Sequence, residues 1–318
     1  MNKAVLKCPK YSLDKAKRID QLLTNCKEWI YSEHLLELIH LFDKEGGMDN
    51  YGNNFKDDLI KLHTFVQRWD YRKGQERWTV QDDSFIEENE SIILNSAKGL
   101  DLRDHVRPSV EAEYILPLGG ARRANYVRPL MAKKVLNEFN WRDKTIVALA
   151  GTRPINEIEK PFINDYAPYA ATEYEAICSG VEKAFEVSRY DEIEHDDDNI
   201  NSKSAVRQYE SNGNERIYCL AAPSSDPLVR RANSYDTFQF FLQTFGIKKE
   251  DRLLLVTSCI YVPFQLLKFM MLAIENGFEV DCIGADPIDG YTLSKTSNYL
   301  QEIKGTVDAI YELTMHYL

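Results

Sequence analysis

The chain has 318 residues, 44% of them hydrophobic and 28% charged, with 39 basic side chains against 50 acidic ones for a net charge of −11. That composition is ordinary for a globular protein and supplies core material for one large domain or two smaller ones. The acidic balance excludes a broad basic face for nucleic acid and docking on an anionic membrane.

No run approaches the roughly 18 apolar residues of a spanning helix. The stretch Met1 to Lys7 lacks the apolar region of a secretory leader, so the expected compartment is the cytoplasm. The six cysteines (Cys8, Cys26, Cys178, Cys219, Cys259, Cys282) form no Cys-x-x-Cys pair and read as buried thiols, not as a disulfide frame or zinc site.

The first 110 residues read as a helical segment. Ser12 is placed to cap a helix whose apolar positions run from Leu22 and Leu23 through Trp29, Ile30, Leu35 and Ile39 to Phe42, ended by Gly46-Gly47. Phe55, Leu59, Leu62, Phe65 and Trp69 mark a second amphipathic helix, and a third spans roughly 83–96. His34, His40 and His63 lie on these helices without a carboxylate or cysteine at metal spacing, so no metal site is assigned to them.

From residue 111 to 318 the rhythm becomes strand, turn, helix. Strands are expected at Tyr114–Leu118, Thr145–Ala150, Arg216–Ala221, Arg252–Thr257 and Glu279–Ile283. Helices are expected at Ala121–Asn140, Thr172–Val187, Tyr235–Phe245, Pro263–Asn276 and Ser294–His316. Continuous apolar strands alternating with helices predict an α/β fold, a Rossmann-like parallel sheet buried by helices on both faces. The stretch 153–170, with Pro154, Pro161 and Pro168, follows a strand end and reads as a lid. The acidic stretch 191–214 reads as a solvated loop.

Ligands in such sheets bind at the carboxyl ends of the strands. The first strand ends in Gly119 and Gly120, where a tight turn lets a ligand approach the backbone, followed by Arg122, Arg123, Asn125 and Arg128. The second ends in Gly151, Thr152 and Arg153, and the next helix opens with Thr172-Glu173-Tyr174-Glu175. Beyond the third come Asp236 and Thr237; the fourth ends in Thr257, Ser258 and Tyr261; the fifth leads to Asp286 and Asp289. Glycine N–H groups, hydroxyls and arginines suit a phosphate or carboxylate. Glu173 and Asp236 are the candidate acid/base or hydroxyl-positioning groups. Each also has a purely structural role open to it, since both open helices and cap or pair with the helix dipole.

The order of these pieces resembles the ElyC/SanA/YdcF family, the DUF218 domain. The likeness rests on Leu118-Gly119-Gly120, Ala150-Gly151-Thr152, Glu173 or Glu175-Ala176, Ser234-Tyr235-Asp236-Thr237 and the run from Val256 to Phe264, and covers roughly 113–286. The family pattern has histidine where this chain has Tyr261, and arginine at both Phe264 and Tyr235. The resemblance implies a Rossmann-like fold and, from one branch of the family, S-adenosylmethionine as ligand. The envelope roles of its membrane-anchored branches transfer poorly to a chain with no visible anchor.

Together these features predict a small-molecule enzyme binding an anionic, nucleotide-like ligand, S-adenosylmethionine or a phosphorylated metabolite, for group transfer or hydrolysis; a divalent metal is left open. Gly119, Gly120, Gly151 and Thr152 are expected to cradle the ligand and Arg122, Arg123 or Arg153 to neutralise it. The alternative is a non-catalytic sensor or partner-binding protein in which the helical segment reports pocket occupancy.

Overall fold

The computed structural model describes residues 3–74, 79–211, 213–285 and 294–318. In chain order these form α1 (Lys15–Ile30), α2 (Glu33–Phe42), α3 (Phe55–Phe65), α4 (Ser84–Glu88), α5 (Glu90–Gly99), β1 (Tyr114–Pro117), α6 (Ala124–Glu138), β2 (Thr145–Gly151), α7 (Lys160–Ile163), α8 (Glu173–Phe185), β3 (Tyr190–His195), β4 (Ser204–Tyr209), β5 (Arg216–Ala222), α9 (Ser234–Phe245), β6 (Arg252–Ser258), α10 (Val262–Asn276), β7 (Glu279–Ala285) and α11 (Thr296–Tyr317). They gather into two compact units. One comprises Met1–Val106, Cys259–Asn276 and Asp289–Leu318; the other comprises Arg107–Ser258 and Gly277–Ile288. The C-terminal helices α10 and α11 thus belong with the N-terminal helices, whereas the sequence division puts all of 111–318 together. No helix among the described residues is long and apolar enough to cross a membrane.

The first unit is helical. α11 is its centre, burying Leu300, Ile303, Val307 and Ile310 completely and touching α1, α3, α5 and α10. Its first turn is fastened by the Asp82 carboxylate, which accepts the Thr296 and Ser297 backbone N–H groups at 3.0 Å each. The helix expected to run from Ser12 to Gly46 is two helices. Asp14, not Ser12, caps α1, and Ser32 accepts from the Leu35 N–H to start α2. A capping side chain within an apolar run satisfies the orphan N–H groups of a new helix and so permits the chain to bend. The expected third helix is likewise divided, at Asn89, into α4 and α5.

The second unit is built on a seven-stranded sheet of order β3-β4-β5-β2-β1-β6-β7. Five strands are parallel: Ile115 of β1 pairs with Ile146 of β2 on one side and Leu254 of β6 on the other. Taken by themselves the parallel strands have the order third, second, first, fourth, fifth, that of a doubly wound sheet, with its switch between β1 and β6. The two added strands are antiparallel neighbours on the β5 side and correct the reading of 191–214 as a loop. β3 is an edge strand with five of its six residues exposed, so it carries no apolar face for a periodicity argument to find.

Helices cover both faces. Cys219 of β5 meets the Cys178 thiol of α8, while its neighbour Tyr218 packs its ring 5.0 Å from Phe245 of α9. Successive strand residues point to opposite faces, so α8 and α9 lie on opposite sides. α6 packs against α8. Under α9 the rings of Phe238, Phe241 and Phe278 are completely buried.

Candidate functional site

The geometry at the carboxyl end of β1 follows from where its backbone hydrogen bonds go. The Leu118 N–H still donates to Val256 of β6, at 3.0 Å, but the Gly119 N–H turns the other way and donates to Leu149 of β2, at 2.5 Å. β1 therefore parts from β6 after Leu118, opening the crevice expected at a switch point. Gly119 is required here: a methyl group on it would stand 2.9 Å from the Leu149 carbonyl and closer still to Glu173 Oε1.

Arg128 reaches into that crevice from the second turn of α6. It is only 5% exposed. Its Nη1 donates to the carbonyls of Leu118 (2.7 Å) and Gly119 (2.5 Å), and its Nη2 donates to Ser258 Oγ (3.2 Å). Beside it, the fully buried Asn125 accepts the Gly120 N–H through Oδ1 at 2.9 Å. Asn125 Nδ2 and the hydroxyl of Thr257, itself 1% exposed, have no hydrogen-bond partner among the described residues. Buried polar atoms in that condition are uncommon and call for a ligand or water.

Both glycine N–H groups at this turn are thus engaged within the chain, and the expected cradle of free amides is absent at Gly119 and Gly120. Arg122 and Arg123 do not enter the crevice. Arg122 takes a left-handed backbone conformation (φ +58°), and its guanidinium stacks 4.1 Å from the Phe162 ring. Arg123 pairs with Asp165 at 2.7 Å. Both side chains therefore hold the stretch 153–170, where Ile155, Ile163, Tyr166 and Ala167 form an apolar cluster with Ala176 of α8.

At the end of β2, Arg153 is clamped by two carboxylates. Its Nη1 and Nη2 donate to the two oxygens of Glu159 at 2.7 and 3.0 Å, and its Nε donates to Glu173 Oε2 at 2.9 Å. Glu159 is fully buried and also accepts the Asn156 N–H at 3.0 Å. Burial pushes its carboxyl pKa up, but Arg153 and the Asn156 and Arg122 N–H groups outweigh that and hold it below the ordinary range. Glu159 was not singled out from the sequence; nothing in a proline-rich segment marks one glutamate as the buried partner of an arginine. Gly151 has room above it, the nearest atom to an added methyl being Ala232 Cβ at 3.9 Å. Thr152 donates its hydroxyl to the Ile200 carbonyl at 2.7 Å.

Asp236 has both oxygens committed. Oδ1 accepts from Arg230 Nη2 (3.1 Å) and the Ser225 N–H (3.3 Å); Oδ2 accepts from Arg230 Nη1 and the Asn233 N–H (2.9 Å). Burial raises its pKa, but these donors prevail and keep it well below the usual carboxylate range. With Asn233 it forms a reciprocal cap on α9. That arrangement suits a structural anchor for the loop after β5 better than a general base. Thr237 donates its hydroxyl back to the Asn233 carbonyl at 2.9 Å, within the same helix start. Tyr261 lies in the short turn Cys259–Tyr261, which falls in the first unit and not with the sheet. Asp286 and Asp289 lie outside the described residues. The structure therefore brings together Gly119, Gly120, Asn125, Arg128, Glu173, Arg153, Thr257 and Ser258 about the ends of β1, β2 and β6. The first unit has a separate hollow of about 480 Å³ around Trp29, rimmed by Lys3, Lys7, Glu28 and Glu33; its mixed charges do not converge on one group.

Residues 14–101 match the family described as the Rv3785 N-terminal domain. Over 313 residues the chain is 26% identical to the uncharacterized proteins Mb3814 of Mycobacterium bovis and Rv3785 of Mycobacterium tuberculosis, with 88% of this chain and 86% of each relative covered. No solved structure matches. These findings overturn the likeness to the ElyC/SanA/YdcF family. The shared pieces have local structural roles in this fold: a glycine where β1 passes close to β2, and capping boxes at Thr172–Glu175 and Asn233–Asp236 that start α8 and α9.

Proposed function

We propose that the protein is a small-molecule enzyme that binds an anionic, nucleotide-like ligand at the crevice between the ends of β1 and β6 and carries out group transfer or hydrolysis. The observation that supports this reading is the buried Arg128 guanidinium at the switch point, flanked by the Ser258 hydroxyl and by the Thr257 hydroxyl and Asn125 Nδ2, which have no partner among the described residues. A planar cation with two polar groups beside it suits a phosphate or carboxylate. A phosphorylated metabolite or S-adenosylmethionine supplies such a group. Glu173, with one oxygen held by Arg153, is the carboxylate left for acid/base work.

The test is a thermal-shift and calorimetric screen of the full chain against nucleotides, inorganic phosphate and S-adenosylmethionine, with and without magnesium. A ligand that binds only the native state raises the melting temperature in proportion to its occupancy. Arg128→Met, which keeps the length and removes the charge, is expected to abolish a hit. A hit that Arg128→Met leaves intact refutes the site. If Glu173→Gln binds but does not turn over, the enzyme reading stands.

The exposed apolar side chains favour a second reading. Tyr169 (97% exposed), Leu228 (91%) and Val229 (79%) stand on the segments that follow β2 and β5, where a partner protein finds apolar contacts. On this reading ligand binding alters partner affinity and no turnover occurs.

A further inference from the structure

Three charged side chains meet at the carboxyl end of β2. Arg153 faces both Glu159 and Glu173. Glu159 is fully buried and engaged on both oxygens, which take Arg153, with the Asn156 and Arg122 N–H groups donating as well. Arg153 is equally committed, with all three side-chain nitrogens donating to these carboxylates. It is positioned to orient Glu173, not to receive an anion.

Glu173 Oε1 is the oxygen left over: it accepts no hydrogen bond from the described residues, while Oε2 is held by Arg153. Oε1 lies against the α-carbon of Gly119, close enough that no side chain fits on that residue. The carbonyl of the same glycine accepts Arg128 Nη1. Gly119 alone thus stands between the crevice cation and an open carboxylate oxygen.

We propose that the ligand carries, beside the anionic group received by Arg128, a hydroxyl that donates to Glu173 Oε1, as the sugar of a nucleotide does. This rests on the anion-binding reading of the crevice and names the second half of the same ligand. A hydroxyl fits better than an ammonium group, because a further cation there would stand against Arg153 and near Arg128, which bonds the same Gly119, whereas a hydroxyl adds no repulsion. The carboxylate's geometry is set by Arg153 and by the N-terminal position of Glu173 in α8, whose backbone N–H donates to the Arg153 carbonyl at 2.8 Å.

The experiment is calorimetric titration of the full chain with adenosine monophosphate, its 2′,3′-dideoxy analogue and inorganic phosphate, on the wild-type protein, Glu173→Gln and Arg128→Met. A hydroxyl bonded to a charged acceptor contributes a preference of roughly tenfold to hundredfold for the nucleotide over its dideoxy analogue in the wild type. That ratio is expected to fall about tenfold in Glu173→Gln, whose neutral amide bonds a hydroxyl more weakly than a carboxylate does. Equal binding of the two nucleotides by the wild type overturns the proposal without any variant having to fold. So does a preference that is undiminished in Glu173→Gln. Failure of the underlying reading looks different: neither nucleotide nor phosphate binds, or Arg128→Met binds them as the wild type does, and either result removes both.

Discussion

Gly180 in α8 offers the sharpest test of the packing that holds the sheet unit together. Pro129 lies inside α6 and has no N–H for the carbonyl four residues earlier, so the Asn125 carbonyl is left without its helical partner. That carbonyl points at Gly180. A methyl group at Gly180 would stand 2.8 Å from the Asn125 carbonyl carbon and 3.1 Å from Tyr126 Cα, with the Asn125 oxygen nearer still. Carbon atoms pack comfortably at about 3.5–4.0 Å, so Gly180→Ala must drive α6 and α8 apart by the better part of an ångström. Overpacking of this kind costs about 1–3 kcal/mol, and rigid backbone on the far side places it at the upper end. Replacing a mid-helix glycine by alanine returns about 0.8–1 kcal/mol of helix propensity. The net loss is about 2 kcal/mol, a fall in melting temperature of about 4–8 °C for a unit of this size. Circular dichroism on heating and in urea measures it. Gly305→Ala in α11 is the control, because its added methyl meets nothing closer than the Phe264 ring at 3.7 Å, and it is expected to hold or raise stability. If Gly180→Ala melts with the wild type, or if both variants lose alike, the close helix approach is refuted.

Other perturbations read the charged groups. Arg153→Ala strands the buried Glu159 carboxylate and is expected to cost about 3–5 kcal/mol in urea unfolding, with part of the loss recovered on adding Glu159→Gln. Because the Glu159 pKa is depressed from 4.5 in the folded chain, its stabilising contribution is complete above that value and disappears as pH falls through the folded pKa. Acid unfolding followed by circular dichroism is therefore expected to lose part of its pH dependence below about 4.5 in Glu159→Gln. Asn233→Ala removes the acceptor for the Tyr235 and Asp236 N–H groups and is expected to cost about 1 kcal/mol in the same urea assay.

Much of the architecture was legible because it is written locally. The five parallel strands stand where continuous apolar runs place them, within a residue or two at their ends. Capping residues locate the starts of α8 and α9. β3 and β4 escaped notice because pairing, not hydrophobic pattern, defines them: Ile193 is 79% exposed, in a strand whose other residues are Tyr190, Asp191, Glu192, Glu194 and His195. Strand ends follow from strands, so the residues gathered there were legible, but the partners of the four arginines were not distinguishable. Arg122, Arg123, Arg128 and Arg153 are the same side chain at similar distances from a glycine turn.

The sequence by itself determined the helix and strand alternation, the class of the sheet and the edge at which its polar residues collect, because periodicity and capping act over a few residues. Only the tertiary structure decided which groups face the crevice. The turn at Gly119 sends Arg122 and Arg123 to Phe162 and Asp165, while α6 carries Arg128 to Ser258, 130 residues further along the chain. Burial then engaged Arg153 and Asp236 with partners of opposite charge, since a buried charge left unpaired is too costly to keep. What remained open, one oxygen of Glu173 and the polar atoms of Asn125 and Thr257, was settled by three-dimensional neighbours that no local pattern encodes.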